Sequence, residues 1–452
     1  MSTEGASSAV DAPMSARPPD IRPPIAVLDI VQALRGAGFE AWCVGGAVRD
    51  ALLGHAHLDW DLATSATPPQ VRRLFERTIP VGIEFGTVGV LDRTGVMHEV
   101  TTFRRDVTHD GRHAVVEFGA SLDDDLARRD FTINAIAYDP IDRRLHDPFD
   151  GQRDLAHGLV RAVGDPQARM REDRLRALRA IRFASRLEFA IDAATWQAVV
   201  DSAPFLARLS PERVKQEIEK TMEQVRRPSV AFRRWRDAGA FGSLVPALGD
   251  VGELVLDALD CLLPPASAAR SQRRGLRLAV LFSDLAPRHA DDALRALRFS
   301  NQDIGWIGAL VTRWHADGAS LSQALCTVGG LDDGAVRRLA SSAGRVRASA
   351  FVRLCAARWG AGRVAPDDVA SAPTPARVRE LHRRVLRSAF RDPLHIADLA
   401  VDGDDLRQVG IRPGPQIGAI LSGLLEDVLD DPAHNSREWL LTRAASLMPP
   451  QG

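Results

Sequence analysis

Near residue 150 the chain changes character, and that switch constrains its architecture more than any other feature. Up to about Pro148, short apolar runs such as Ala41-Trp42-Cys43-Val44 alternate with glycine turns and short helical patterns, as interleaved strands and helices do. After Asp150 the glycine and β-branched clusters thin out, and helical periodicity takes over for nearly all the remaining length. Such a chain folds as α+β, with a small mixed α/β unit followed by an all-α remainder. Its 452 residues exceed one ordinary domain, and breaks at Arg227-Pro228, at Pro264-Pro265, across 364–375 and at 410–415 divide the helical part. The expected organisation is a disordered leader over 1–24, a head over 25–147, a helical neck over 148–226, a helical body over 227–370 and a helical tail over 371–452.

Composition narrows the class. With 45% apolar and 26% charged residues the chain has the make-up of a globular protein, and no apolar run approaches the roughly 20 residues that a membrane-spanning helix needs. A net charge of −1 means that any nucleic-acid surface must come from gathering arginines onto one side. The four cysteines, Cys43, Cys261, Cys326 and Cys355, show no CxxC spacing, so no zinc site or disulfide framework is legible and a reducing cytoplasm is the expected location. The Ser-, Ala- and Pro-rich leader lacks the apolar stretch of a signal peptide.

Within the head, the pattern predicts a helix over 25–35, a strand over 41–44, a helix over 48–53, a strand over 59–62, a helix over 68–77 capped by Thr67, and strands over 87–91 and 98–103. Two features in this run carry chemistry. Asp59 and Asp61 flank Trp60, and residues i and i+2 of a strand share a face, so the two carboxylates would stand together with the indole opposite. Adjacent anions repel unless a cation lies between them. Mg²⁺ takes hard oxygen ligands, commonly one or two carboxylates plus substrate phosphates, which is the arrangement nucleotidyl transfer needs. Glu99, on a later strand, is a candidate third carboxylate. The turn Gly45-Gly46 lets backbone N–H groups approach a triphosphate, and Arg49 can add a charge-assisted contact. Alone, each feature is an ordinary turn or a solvated pair; their order and spacing point to a phosphate cradle beside a metal site.

Seven ordered blocks then make a resemblance specific. They are Val44-Gly45-Gly46-Ala47-Val48-Arg49-Asp50, Asp59-Trp60-Asp61, Glu99-Val100-Thr101-Thr102-Phe103-Arg104, Arg128-Arg129-Asp130-Phe131-Thr132-Ile133-Asn134, Asp147-Pro148-Phe149-Asp150-Gly151, Glu172-Asp173-Arg174-Leu175-Arg176, and Ser210-Pro211-Glu212-Arg213-Val214-Lys215-Gln216-Glu217. With these the chain resembles the bacterial family of tRNA nucleotidyltransferases and poly(A) polymerases, the class II branch of the polymerase β superfamily. The likeness runs over about 25–246 and continues more weakly to the C-terminus. It implies a nucleotidyltransferase head and template-independent addition of CCA to the 3′ end of tRNA. The implied partners are tRNA, CTP and ATP, with Mg²⁺ as cofactor; no protein partner or membrane is implied. Asp59 and Asp61 would bind the metal; Gly46, Arg49 and Arg129 would hold the incoming nucleotide, and Asp130 would touch its ribose. Residues 147–151 would form a flexible joint, and Arg213 with Glu217 a brace in the neck.

A physical reason for choosing C and A lies around Glu172. Asp173 and Arg176 are three apart, as neighbours on one helix face would be, with Arg179 and Arg182 continuing the row. A carboxylate accepts hydrogen bonds and a guanidinium donates them. Cytosine and adenine each offer an amino donor beside a ring acceptor and so match an Asp–Arg pair, whereas guanine and uracil present the opposite order and leave both partners unmet. The resemblance assigns that reading role to Asp173 and Arg176, with Arg179 and Arg182 near the base and phosphates. Arg174 stands where relatives commonly carry proline.

In the body, Ser283-Asp284 stands where relatives with an intact HD segment carry a metal-binding His-Asp, so no phosphohydrolase activity is expected. Arginine clusters at 226–227, 233–236 and 383–384, and the glycine turn at 410–418, could line an RNA groove, although isolated clusters of this kind are usually solvated faces. A poly(A) polymerase usually ends in a basic extension, whereas residues 426–452 are acidic to neutral; the 104–126 segment matches the flexible loop that CC-only enzymes shorten. CCA addition is therefore the leading expectation, with an A-adding enzyme or a poly(A) polymerase as alternatives.

Overall fold

Amphipathic spacing makes α1 (Ile25–Gly36), whose Val27, Ile30, Val31 and Leu34 form one buried stripe. The computed structural model describes residues 21–55, 59–109, 114–262, 270–362 and 372–447, so most of the expected leader lies outside it. Strand β1 (Ala41–Val44) is buried along its whole length, as a strand with neighbours on both edges can be, and α2 (Gly46–Leu52) follows one residue later. β2 (Asp61–Thr64), α3 (Pro68–Leu74), β3 (Thr78–Gly82), β4 (Thr87–Leu91) and β5 (Met97–Thr102) come next. The Gln70 side chain accepts from the Thr67 N–H, so the expected cap is present at the start of α3.

The 104–126 segment is a two-stranded ribbon, β6 (Arg104–His109) against β7 (Ala114–Phe118), followed by α4 (Leu122–Ala127); residues 110–113 lie outside the described ones. β8 (Ala137–Asp139) and β9 (Arg144–His146) complete a seven-stranded sheet of order β3-β4-β5-β2-β1-β8-β9. In it β2 and β5 run parallel and the other neighbours antiparallel. Beneath one face Trp42, Val44, Ala63, Phe103, Leu122, Leu126, Ala135, Ala137 and Val163 close a core that ties α4 to the central strands.

One strand starts later than its pattern suggests. β2 begins at Asp61 because its ladder with β1 ends at the pair Val44–Asp61, where Gly45 turns the chain away at φ 76°. Asp59 is left exposed ahead of the strand, and Trp60 is buried.

Past β9 come α5 (Gly151–Ala156), β10 (Leu159–Val160), α6 (Pro166–Glu172), α7 (Leu175–Leu187), β11 (Ala190–Ile191), α8 (Ala193–Ser202) and α9 (Pro211–Gln224), and helices then continue to Arg437–Ser446. Contacts divide the chain into two units, Met1–Arg176 with Glu188–Ala198, and Ala177–Leu187 with Val199–Gly452. The division falls inside the 148–226 stretch, and residues 147–151 lie wholly in the first unit. There the Asp147 carboxylate accepts from the Gly151 and Gln152 N–H groups, both at 2.8 Å, and caps α5.

In the second unit, Ser210 caps α9 at its start, and the buried Arg277 donates to the carbonyls of Met222, Val225 and Arg226 at its end. Those carbonyls have no onward helix to bond, so the guanidinium takes the place of a further turn. Near the C-terminus Val401, Leu406, Ile420, Leu424, Val428 and Leu440 form a separate small core. No helix of the described residues is long and apolar enough to cross a membrane. Much of the Pro- and Ala-rich breaks at 263–269 and 363–371 lies outside the described residues.

Gly151 presses on the segment that follows α4: a Cβ there would lie 2.3 Å from the Thr132 carbonyl oxygen and 2.8 Å from Ile136 Cγ1. Gly151→Ala should therefore destabilise the first unit by about 1–3 kcal/mol, the usual range for overpacking a close backbone contact. Chemical denaturation of the full chain checks this, and a variant that unfolds at the wild-type denaturant concentration would refute it.

Candidate functional site

The corner after β1 is where the expected chemistry gathers. Gly45 adopts φ 76° and ψ −137°, a conformation that strains any residue with a Cβ. A Cβ there would also sit 3.1 Å from Arg129 Nη1 and 3.5 Å from Asp61 Oδ2. Glycine thus lets a guanidinium and a carboxylate approach the backbone from two sides. Parallel pairing aligns Leu62 with Val100, and continuing that register by one residue sets Asp61 beside Glu99. Burial, then Glu99 and Asp59, push the Asp61 carboxyl up to about 6, while Arg129 pulls it back. Glu99 and Asp59 therefore act on Asp61 as like charges, with Arg129 as the counterweight.

Arg129 is held from behind. Asp125, on α4 and fully buried, accepts from Arg129 Nη2 at 3.1 Å and from Arg128 Nη2 at 2.7 Å. Burial pushes the Asp125 carboxyl up, but Arg129 and Arg128 together hold it below its ordinary value. Arg129 Nε is buried with no hydrogen-bond partner, so that donor is unspent.

Arg49 and Asp130 are placed differently from a simple nucleotide clamp. Arg49 is 2% exposed and donates to Asp50 Oδ1 from Nε and Nη2, at 2.8 and 2.7 Å, and to Asn134 Oδ1 at 2.6 Å. The Asn134 amide in turn donates to Asp130 Oδ1 at 2.9 Å, which also accepts from the Phe131 N–H. Asn134 thereby couples the glycine turn to the Arg128-Arg129-Asp130 segment. A Cβ on Gly46 would lie 3.6 Å from Arg49 Nη2, so this buried guanidinium underlies the turn.

The expected base-reading helix is broken at its reading residues. α6 ends at Glu172, Asp173 is extended at φ −145° and ψ 104°, and α7 starts at Leu175. Asp173 Oδ1 accepts from the Leu175 N–H at 3.0 Å, and such a cap is why an aspartate placed here interrupts the helix instead of continuing it. Arg176 is 8% exposed and donates to Glu172 Oε2 at 2.7 Å, to the Arg169 carbonyl at 3.0 Å and to the Arg128 carbonyl at 2.9 Å. Asp173 and Arg176 thus meet at a corner between two helices, not along one face.

Farther along α7, in the second unit, Arg179 stacks over Phe183. Arg182 is buried, donating to Glu217 Oε2 at 2.6 Å, which makes it a brace of α9. Most of the arginine clusters are engaged locally: Arg227 with Asp260, Arg233 with Glu253 and Asp257, Arg236 with Glu253, and Arg384 with Asp333. Asp284 pairs with Arg358.

Sequence reasoning gave no role to Asp125, Asn134 or Asp50, and did not see Glu172 as the partner of Arg176. Only Asn134, set among apolar residues, carried a sequence signal, since a polar group buried there requires partners; Asp125 lies in a run of aspartates and Asp50 beside an arginine. Among the described residues no three His, Cys, Asp or Glu side chains gather as a metal cage. The oxygen-only donors at Asp59 and Asp61 instead fit a hard divalent cation that shares its coordination with a substrate's phosphates.

Comparison with known proteins bears on this geometry. A family model described as the poly A polymerase head domain matches residues 41–161, and one described as the probable RNA and SrmB-binding site of polymerase A matches residues 188–250. The CCA-adding enzyme of Geobacillus kaustophilus is 36% identical over 439 residues, covering 94% of this chain and 98% of that protein. The crystal structure of the Bacillus stearothermophilus CCA-adding enzyme in complex with CTP is similar with a TM-score of 0.75 at 33% identity, over 95% of this chain and 99% of that one. A Thermotoga maritima CCA-adding enzyme complexed with tRNA, 22% identical, shares the fold with a TM-score of 0.63 over 94% of this chain and 95% of that one.

The raised Asp61 carboxyl carries a stability consequence. A folded-state value of about 6 against an ordinary 3.8 means that the ionised form is disfavoured in the fold, so this group's contribution falls as pH rises from about 4 through about 6. In metal-free buffer Asp61→Asn should be more stable than wild type by roughly 1–3 kcal/mol at neutral pH, with the gain gone near pH 4. Melting curves in chelator at both pH values test this; an equal gain at both would refute it.

Proposed function

The chain belongs to the family of CCA-adding enzymes, and from that premise we propose that it completes the 3′ end of tRNA with CCA, using CTP and ATP and Mg²⁺. The observation that carries the site assignment is the meeting of Asp61 and Arg129 at the Gly45 corner, with Asp59 and Glu99 in electrostatic reach. Asp59 and Asp61 would hold the divalent cation, which would supply Lewis-acid polarisation of the phosphate and a lowered pKa for the attacking hydroxyl. Glu99 keeps Asp61 in a field that rewards a bound cation.

In the reaction the terminal 3′ hydroxyl of the RNA forms a bond to the α-phosphorus of the triphosphate, its proton leaves, and pyrophosphate departs with the broken α–β bond. Arg129 faces the glycine turn through Nη1, and that guanidinium would supply a charge-assisted contact to a phosphate oxygen held at the turn. Arg49 and Asn134 act behind it, fixing the turn and Asp130. At the α6–α7 corner Asp173 would accept from the amino group of C or A while Arg176 donates to the ring nitrogen. A corner offers backbone and side-chain atoms in fixed directions, and selection by fixed donors and acceptors needs no nucleic-acid template. Arg182, bound to Glu217, braces the segment that follows.

Purified protein given CTP, ATP and Mg²⁺ should add CCA to a tRNA lacking its end, and stop. Asp59→Ala or Asp61→Ala should abolish transfer by three orders of magnitude or more (~4 kcal/mol) while tRNA binding persists. Long adenosine tails on unstructured RNA would make it a poly(A) polymerase, and incorporation only onto tRNA already ending in CC an A-adding enzyme.

Base choice has its own test. Asp173→Ala and Arg176→Ala should each raise misincorporation from UTP and GTP about tenfold or more relative to CTP and ATP, because the wrong edge no longer meets an opposed partner. Strict selectivity in both variants would remove these residues from that role.

A further inference from the structure

The arginines at the nucleotide site are arranged by carboxylates that divide their oxygens between two partners. Asp125 Oδ1 accepts from Arg128 Nε at 3.0 Å and Nη2 at 2.7 Å, while Oδ2 accepts from Arg129 Nη2 at 3.1 Å. Glu172 repeats the pattern, with Oε1 accepting from Arg169 Nη2 at 2.6 Å and Oε2 from Arg176 Nη1 at 2.7 Å. The two clamps are joined through the end of α4: the Ala127 carbonyl accepts from Arg169 Nη1 at 3.1 Å, and the Arg128 carbonyl from Arg176 Nη2 at 2.9 Å. A helix leaves its last carbonyls unpaired, and here guanidinium donors satisfy them.

We propose that Asp125 is a positioning residue for nucleotide binding, which holds Arg129 toward the Gly45 corner and fixes the end of α4 as a strut between Arg129 and Arg176. Asp125 is fully buried and never faces solvent, so its charge serves only the groups it touches. Removing one member of a buried charged set leaves the others uncompensated. Without Asp125, the Arg129 guanidinium would lose the carboxylate that holds its Nη2, and its direction at the Gly45 corner would no longer be fixed. Arg128, released at the same time, would loosen the backbone whose carbonyl anchors Arg176.

This inference rests on the assignment of Arg129 to the nucleotide, and the experiment separates the two. KM for CTP and ATP, kcat, tRNA affinity and melting temperature are measured for Asp125→Asn, Asp125→Glu, Arg129→Ala and the Asp125→Asn/Arg129→Ala pair. Asp125→Asn should raise the nucleotide KM about tenfold, the scale of one charge-assisted contact, with tRNA affinity unchanged. The losses in the double variant should fall well short of the product of the two single losses, because Asp125 acts mainly through that guanidinium and only in smaller part through Arg128 and the end of α4. Asp125→Glu keeps the charge, and with it the fold should the amide fail, and should raise KM less than the amide does. Losses that multiply in the double variant, or wild-type KM in both Asp125 variants, would overturn the proposal. Wild-type KM in Arg129→Ala would instead remove the assignment on which it stands.

Discussion

The buried Asp61 carboxylate is the constraint to which the rest of the head answers. Burial first, and then the nearby Glu99 and Asp59 carboxylates, disfavour its ionised form and raise it to about 6. The fold offsets this with one guanidinium, Arg129, brought close by a residue without a side chain, Gly45. One cation of fixed charge moderates the group without neutralising it, and that remaining negative field is what a divalent ion and a triphosphate would complete.

A second layer of polar groups keeps that balance in place. Arg49, Asp50, Asn134 and Asp130 form a buried chain of hydrogen bonds under the glycine turn, and Asp125 with Arg128 and Arg129 form another beside it. Buried networks of this kind are costly when partly satisfied and rigid when fully satisfied. Rigidity matters because the chemistry tolerates little misplacement: the reacting atoms must be aligned to a fraction of an ångström. Half-buried arginines elsewhere, such as Arg233 and Arg384, pair with exposed acids, and such pairs contribute less per contact.

How much of this was legible in the sequence depended on the kind of interaction. Short apolar runs located β1 and β4, and helical periodicity located α1 and the all-α remainder, because a strand buried on both faces reads as a continuous apolar run and a helix buried on one face imposes a period. The strand expected over 59–62 starts only at Asp61, so alternation within it does not account for how close Asp59 stands to Asp61. The helix break at Asp173 was not legible, since the residues around it all favour helix; only the competition of its carboxylate for the Leu175 N–H ends α6 there. Nor could the partner of Arg176 be read, because Asp173, three residues before it, and Glu172, four before it, are both within helical reach until the backbone direction is known. Asp125 sat in a run of three aspartates, where position in the sequence does not show that Asp123 and Asp124 face outward while Asp125 faces in.

The four-residue ladder of β1 with β2 has a further consequence. Side chains alternate with a period of two, so a slip of one residue between these strands would carry Asp61 away from the Gly45 corner and present Leu62 there. Leu62, Ala63 and Thr64 are all buried, and the misaligned chain would lose their packing at the same time. The register that packs β1 against β2 is therefore the same register that brings Asp61 to the Gly45 corner, so one alignment serves both the core and the corner.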